Sequence, residues 1–460
     1  MTSTPAQAIR ASQAVIDGVV RPATLLVEDG RITGIGPLDL DVGAADVVTL
    51  HPAQVLLPGL VDTHVHVNEP GRTDWEGFVT ATTAAAFGGV TTMLDMPLNS
   101  LPPTTTAAAL EVKREAAFGK CRVDVGFWGG VVPGNVGEFA ALHEAGVFGF
   151  KAFLQDSGVP EFPPVDVSEL TAAMRELAAL GSLLLVHAED PAVLAGAPPP
   201  AGRSYPAFVA SRPVSAETTA VATVVEAAAA TGCRTHIVHL SSGAGADLVK
   251  QAKASGIPIS AETCPHYLTL NAEGVPDGAP QYKCCPPIRT RDEQDALWAA
   301  LIDGTIDIVV SDHSPSTAVL KLLDSGDVGR AWGGISSLEL GLRLMWTESQ
   351  RRGVGIGLLS GWMATGPARL VGLTGKGSLT VGADADLVAF DPTSTSTVDV
   401  GRLHHRNPVS PYDRLELTGS VGSVWLRGAV IDTRSAAGRF LAPGRTADPY
   451  SGSQRSGVSS

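Results

Sequence analysis

Leu56–His66 reads LLPGLVDTHVH, a short apolar run that ends on two histidines two residues apart. Seven later runs share its design, being short, mostly apolar and closed by polar or Gly/Pro residues. They are Val90–Pro97 (VTTMLDMP), Arg122–Gly130 (RVDVGFWGG), Val147–Leu154 (VFGFKAFL), Ser182–Glu189 (SLLLVHAE), Arg234–Ser241 (RTHIVHLS), Pro258–Tyr267 (PISAETCPHY) and Ile306–Pro315 (IDIVVSDHSP). Both faces of such strands are covered, the signature of a parallel sheet. Good helix formers fill the gaps, for example Ala107–Phe118, Leu170–Gly181 and Ala216–Gly232, the last two stopped by the glycine expected just past a helix end. Eight strands alternating with helices predict an α/β fold, a (β/α)8 TIM barrel over residues 57–372.

Outside that span the pattern changes. Thr24–Leu38 (TLLVEDGRITGIGPL), Gly377–Pro392 (GSLTVGADADLVAFDP) and Gly422–Ile431 (GSVWLRGAVI) are β-rich and punctuated by glycine. Residues 1–56 and 373–440 are therefore expected to meet in one small β-sandwich domain beside the barrel, with a hairpin turning at Asp29-Gly30. Residues 441–460, ending in ADPYSGSQRSGVSS, carry too little apolar surface to order themselves and are expected to be a disordered tail.

Composition narrows the function. Of the 460 residues 44% are hydrophobic and 17% charged, ample for a buried core, and a formal charge of −14 sets the average surface against nucleic acid and anionic membranes as partners. The start, MTSTPAQAIRASQAV, lacks the charged opening and continuous apolar run of a secretory signal, and no later apolar stretch is long enough to span a bilayer. The five cysteines, Cys121, Cys233, Cys264, Cys284 and Cys285, form an odd set without a C-x-x-C pair and read as small buried hydrophobes in a reducing compartment. A cytoplasmic location is expected.

In a barrel of this kind chemistry collects at the carboxyl ends of the strands. His64 and His66 end the first strand, Lys151 lies in the fourth, His187 ends the fifth, His239 the sixth and Asp312 the eighth. Residues two apart in a strand point the same way, so His64 and His66 can both face the axis. Singly, each has an ordinary reading: an H-x-H pair meeting water or backbone, Lys151 as a snorkelling surface lysine, His187 as a core histidine, Asp312 as a turn residue. Their shared position at strand ends reverses those readings, because four imidazoles and a carboxylate converging there need something to tie them together. Divalent metal does so. Imidazole and carboxylate donors suit Zn²⁺, Mn²⁺, Co²⁺ or Ni²⁺. An ammonium at Lys151 would be repelled by such cations, whereas its neutral amine can add CO₂ to give an anionic carbamate that bridges two of them. His236, His266 and His313 read as hydrogen-bonding supports, with His236 the rival to His239, and His404 and His405 as packing in the flanking domain.

Pro58–Arg72 (PGLVDTHVHVNEPGR), Gly149–Leu154 (GFKAFL), Val186–Glu189 (VHAE), His236–Ser242 (HIVHLSS) and Ser311–Pro315 (SDHSP) together resemble the cyclic amidohydrolases, the group of dihydroorotases, hydantoinases and allantoinases. Within it the finer likeness is to the allantoinases, carried by His64–Phe78, Thr91–Thr106, Phe153–Pro163 and Lys283–Arg289. Dihydroorotases typically place Arg two residues after H-x-H to bind a substrate carboxylate; Asn68 stands there in this chain, an uncharged donor and acceptor. Cys285 and Thr290 depart from the residues usual in that branch, Ala and Asp.

The resemblance implies a two-metal hydrolase, with zinc the first choice of cation, held by His64, His66, Lys151 as a carbamate, His187, His239 and Asp312. By the same likeness, a metal-activated hydroxide would open the ring of allantoin to give allantoate, with Asp312 expected to carry the proton to the departing nitrogen. It also implies that Asn68, Asn99 and Ser314 hold the substrate, and that the chain forms a homotetramer. The alternatives are hydantoinase or dihydropyrimidinase activity, then dihydroorotase, and a non-catalytic homologue that kept the barrel alone.

Overall fold

The computed structural model describes residues 7–200 and 202–444. Eight parallel barrel strands follow the expected order: β1 (Leu60–Val65), β2 (Val90–Asp95), β3 (Asp124–Phe127, continued at Gly129–Gly130), β4 (Phe150–Phe153), β5 (Leu183–His187), β6 (Arg234–Ile237), β7 (Ile259–Thr263) and β8 (Ile308–Val309). β1, β2 and β3 pair side by side, and Gly129–Gly130 hands the pairing to β4, β5, β6, β7 and β8. Closure comes between β8 and β1, where the His66 amide donates to the His313 carbonyl at 2.8 Å. The buried Asp62 carboxylate reinforces this seam by accepting from the amides of His64 and Ser311 at 3.1 Å each.

Helices cover the outside. Val167–Ala179 begins in a capping box between Asp166 and Glu169, and Val214–Thr231 ends at Gly232 in a left-handed conformation, as its sequence predicts. The first turns Leu170, Ala173, Met174 and Leu177 inward and the second Ala220, Val221, Val224 and Ala228, against an apolar core shared with strands β1 to β8. The arrangement is the α/β barrel expected from the sequence.

Both chain ends meet in one sheet. Gln7–Ile16, Val19–Glu28, Arg31–Gly36, Asp46–Thr49, Val55–Pro58, Leu387–Thr397, Glu416–Leu426 and Ala429–Val430 are its strands, and Val55–Pro58 runs antiparallel to Leu387–Thr397. The hairpin at Asp29-Gly30 is present, with φ of 50° and 77° at its two central residues. At Gly59 the chain crosses from this sheet into β1; a Cβ there would lie 2.1 Å from the Thr91 hydroxyl, which explains the glycine. Of the expected tail, 445–460 fall outside the described residues, while Leu441 donates its amide to the Val125 carbonyl beside β3 at 2.9 Å. Among the described residues no helix is long and apolar enough to cross a membrane.

Candidate metal centre

A cavity of about 360 Å³ opens at the carboxyl ends of the barrel strands, and its wall includes His64, His66, Lys151, His187, His239 and Asp312. The six come from five separate strand ends, so only the barrel brings them together. His64 Nε2 lies 3.3 Å and His66 Nε2 3.7 Å from Asp312 Oδ1, and His187 Nδ1 lies 3.0 Å from His239 Nε2. The imidazoles of His64 and His239 are 5.6 Å apart, centroid to centroid, so the two groups adjoin. His239 and Asp312 sit just beyond the ends of β6 and β8 with φ of 38° and 43°.

The remaining ring nitrogens show which atoms are available. His64 Nδ1 faces the Glu262 carboxylate at 2.5 Å, His66 Nδ1 faces the Leu98 carbonyl at 2.9 Å, and His187 Nε2 faces the Glu189 carboxylate at 2.8 Å. All three partners are acceptors, so each ring carries its proton on that outer nitrogen and turns a bare lone pair into the cavity. Two such lone pairs and a carboxylate oxygen then face one another across 3.3 to 3.7 Å in a buried space. That arrangement is repulsive without a cation, and the ligand atoms of His64, His66 and Asp312 all lie within 4.8 Å of one another. The donor set fits divalent metal.

Electrostatics point the same way. Burial holds the His66, His187 and His239 imidazoles below their ordinary range, keeping them neutral and able to ligate. Burial likewise brings the Lys151 amine down to about 8, against the pull of Glu262 and Asp312. Its Nζ lies 5.1 Å from the centroid of the Phe153 ring. For Asp312 burial raises the carboxyl from its ordinary value, against the pull of His64 and Lys151.

Glu262 and Glu189, which sequence reasoning passed over, organise the site. Glu262 bridges His64 and His236, the latter at 3.0 Å, and burial alone would raise its carboxyl, yet His64 and His236 hold it well below the ordinary value. His236 is thereby spent: its other nitrogen meets the Ser260 hydroxyl at 2.7 Å, which separates it from His239. Glu189 is chelated by Arg212 at 2.9 and 2.5 Å and, although burial opposes it, is brought to about 2 mainly by His187 and Arg212. Their strand-end glutamates in VHAE and SAETC were the available signal. His313 Nε2 donates to the Glu76 carboxylate at 3.2 Å, its Nδ1 accepting from the Ser337 amide, and it lies outside the cavity wall.

Asn99 and Ser314 line the cavity, whereas Asn68 does not. Buried behind it with φ of 65°, Asn68 accepts from the Asn99 side-chain amide at 3.0 Å through its own amide oxygen, and donates to the Pro315 carbonyl at 3.4 Å. Trp332, Cys285, Lys283 and Arg212 also lie on the wall.

Residues 55–431 match the amidohydrolase family, and the chain belongs to it. Among its relatives is an allantoinase of Streptomyces avermitilis, 53% identical over 435 residues, covering 95% of this chain and 96% of that one. An allantoinase of Saccharomyces cerevisiae is 42% identical over 94% of this chain and 96% of its own. Among solved structures, the L-hydantoinase (dihydropyrimidinase) from Arthrobacter aurescens superposes with a TM-score of 0.88 at 31% identity, covering 95% of this chain and 99% of that one.

Proposed function

We propose that this amidohydrolase hydrolyses the cyclic amide bond of allantoin to give allantoate. The observation that carries the reading is the convergence of His64, His66, Lys151, His187, His239 and Asp312 on one cavity, in a chain 53% identical to an allantoinase. These six would hold two divalent cations, which when bound supply acidified water and a Lewis acid for the ring carbonyl. Zinc is the cation we assign, with cobalt, manganese and nickel as alternatives for the same imidazole and carboxylate donors. Lys151 contributes as a carbamate, formed when its neutral amine adds CO₂.

The chain's own groups then do the rest. Asp312, its carboxyl raised by burial, takes the proton of the attacking water and delivers it to the ring nitrogen as the C–N bond breaks. Asn68 ties up the amide nitrogen of Asn99, which leaves the Asn99 oxygen to accept a ring N–H. Ser314 supplies a hydroxyl on the same wall. We read the protein as a cytoplasmic homotetramer: its five cysteines are unbridged, as a reducing compartment keeps them, and the tetramer follows the family likeness.

Hydantoinase or dihydropyrimidinase activity is the second reading, favoured by the likeness to the Arthrobacter aurescens enzyme. A panel of allantoin, hydantoin, dihydrouracil and dihydroorotate, run on metal-loaded protein, separates the two. Allantoin is expected to have the highest kcat/KM; a higher value for hydantoin or dihydrouracil would replace the substrate while keeping the reaction class.

A further inference from the structure

We infer that Cys264, His266 and Asp312 form a second cation site beside the metal centre, one that takes a thiophilic divalent ion and inhibits the enzyme when filled. One ligand atom from each of the three lies within 4.8 Å of the others, and all three residues are buried. That spacing approaches the separation of two donors on one tetrahedral cation with bonds of roughly 2.0–2.3 Å. The second observation is His266 itself. Its imidazole is 0% exposed, and neither ring nitrogen has a hydrogen-bond partner, an unusual state for a fully buried imidazole. Cys264 directly follows β7, and His266 lies in the short helix Pro265–Thr269 that starts there, so one turn of chain presents both donors.

A sulfur among the donors distinguishes this trio from the all-imidazole and carboxylate set described above, and soft ions such as Cd²⁺ prefer it. Entry is through the cavity, which Asp312 lines. On binding, the Cys264 S–H bond breaks, its proton leaves to solvent, and the freed sulfur pair forms the bond to the cation; no electron changes hands. Asp312 is common to both sites, so an ion held by Cys264 and His266 draws on the carboxylate needed for proton transfer.

The test is a titration of the metal-loaded enzyme with Cd²⁺, following thiolate-to-cadmium charge-transfer absorption and, on the same sample, turnover of the best substrate of the panel. The absorption reads the site whether or not allantoin is that substrate, so failure of the substrate assignment and failure of this one are told apart. Absorption should grow as activity falls. Cys264→Ser should keep basal turnover, lose the absorption and need at least about tenfold more Cd²⁺ for half-inhibition. His266→Gln should keep basal turnover and the cysteine, yet bind Cd²⁺ about tenfold more weakly or worse. Absorption that persists in Cys264→Ser, as it would with Cys284 or Cys285 as donor, overturns the inference. So does absorption without inhibition, or none at all.

Discussion

Lys151 is the residue whose chemistry is most exposed to test. Burial sets its amine near 8, so the neutral form that reacts with CO₂ is the minority below that pH and the majority above it. Reconstitution of metal-stripped protein with bicarbonate and divalent metal should therefore speed up as pH rises through about 8, read as the rate of regained activity; a flat profile would contradict the buried amine. Lys151→Ala should lose bound metal and turnover together, measured by metal analysis and assay of one preparation. Glu262 makes a different prediction, since it fixes the proton on His64 Nδ1 from 2.5 Å. Glu262→Gln should weaken metal binding by about 10–100-fold while leaving the fold intact, as followed by metal titration and circular dichroism. That His64, His66, Lys151, His187, His239 and Asp312 share one cavity was legible because each lies at or near the end of a barrel strand. Glu262 and Arg212 were not legible, because each acts through a residue distant in sequence, His64 and Glu189, and spacing within one strand carries no information about that; Glu189 sits two residues after its partner His187 and was passed over because VHAE reads equally well as a solvated strand end. Asn68 illustrates the same limit: its position beside H-x-H was evident, but not that Asn99 stands between it and the cavity.

At the scale of elements, the eight strands were readable and their ends were not. Ile306–Pro315 reads as one strand, yet β8 is regular only at Ile308–Val309, and its contact with β1 resumes at His313, past the left-handed backbone of Asp312. The loop that roofs the cavity was also invisible to periodicity. Lys321, buried, donates to the carbonyls of Trp332, at 3.0 Å, and Gly334, so it pins a segment whose Ala331, Trp332, Gly333 and Gly334 all line the cavity. Trp332 in turn packs edge-on against Trp75 with centroids 4.9 Å apart. Lys321→Met keeps most of the unbranched side chain, one atom shorter, and removes its donors, so it should loosen this roof and raise KM by roughly tenfold, about 1.4 kcal/mol, with kcat changed much less. Steady-state kinetics on the preferred substrate decide it; an equal fall in kcat would mean that Lys321 serves the chemistry itself.

Across the whole molecule, the barrel and the small β domain are joined by a buried ionic cluster. Lys376 Nζ meets Asp124 at 2.6 Å, Asp386 at 2.7 Å and Asp384 at 2.9 Å, while Arg427 also reaches Asp124 at 2.6 Å. Asp124 lies in β3 of the barrel, whereas Lys376, Asp386 and Arg427 follow it by some 250 positions or more, so the contact depends on the ends of the chain returning to the barrel. Burial would lower the Lys376 ammonium, but Asp124 and Asp386 raise it above the ordinary lysine range, and Lys376 and Arg427 hold the Asp124 carboxyl down against burial. Lys376→Ala strands these carboxylates and should cost about 3–5 kcal/mol of stability, measured by chemical denaturation. The meeting of the two ends was legible from their β-rich, glycine-punctuated composition. Their ionic joint was not, since lysine and aspartate in GADAD and TGKG read as turn residues until the fold brings them to Asp124.

The most direct test of the central claim is the anomalous X-ray scattering of crystals grown from metal-loaded protein. Two peaks are expected at the barrel mouth, one among His64, His66 and Asp312 and one between His187 and His239. An active crystal form in which both places lack scatterers, and His187 Nδ1 still contacts His239 Nε2 directly, would contradict it.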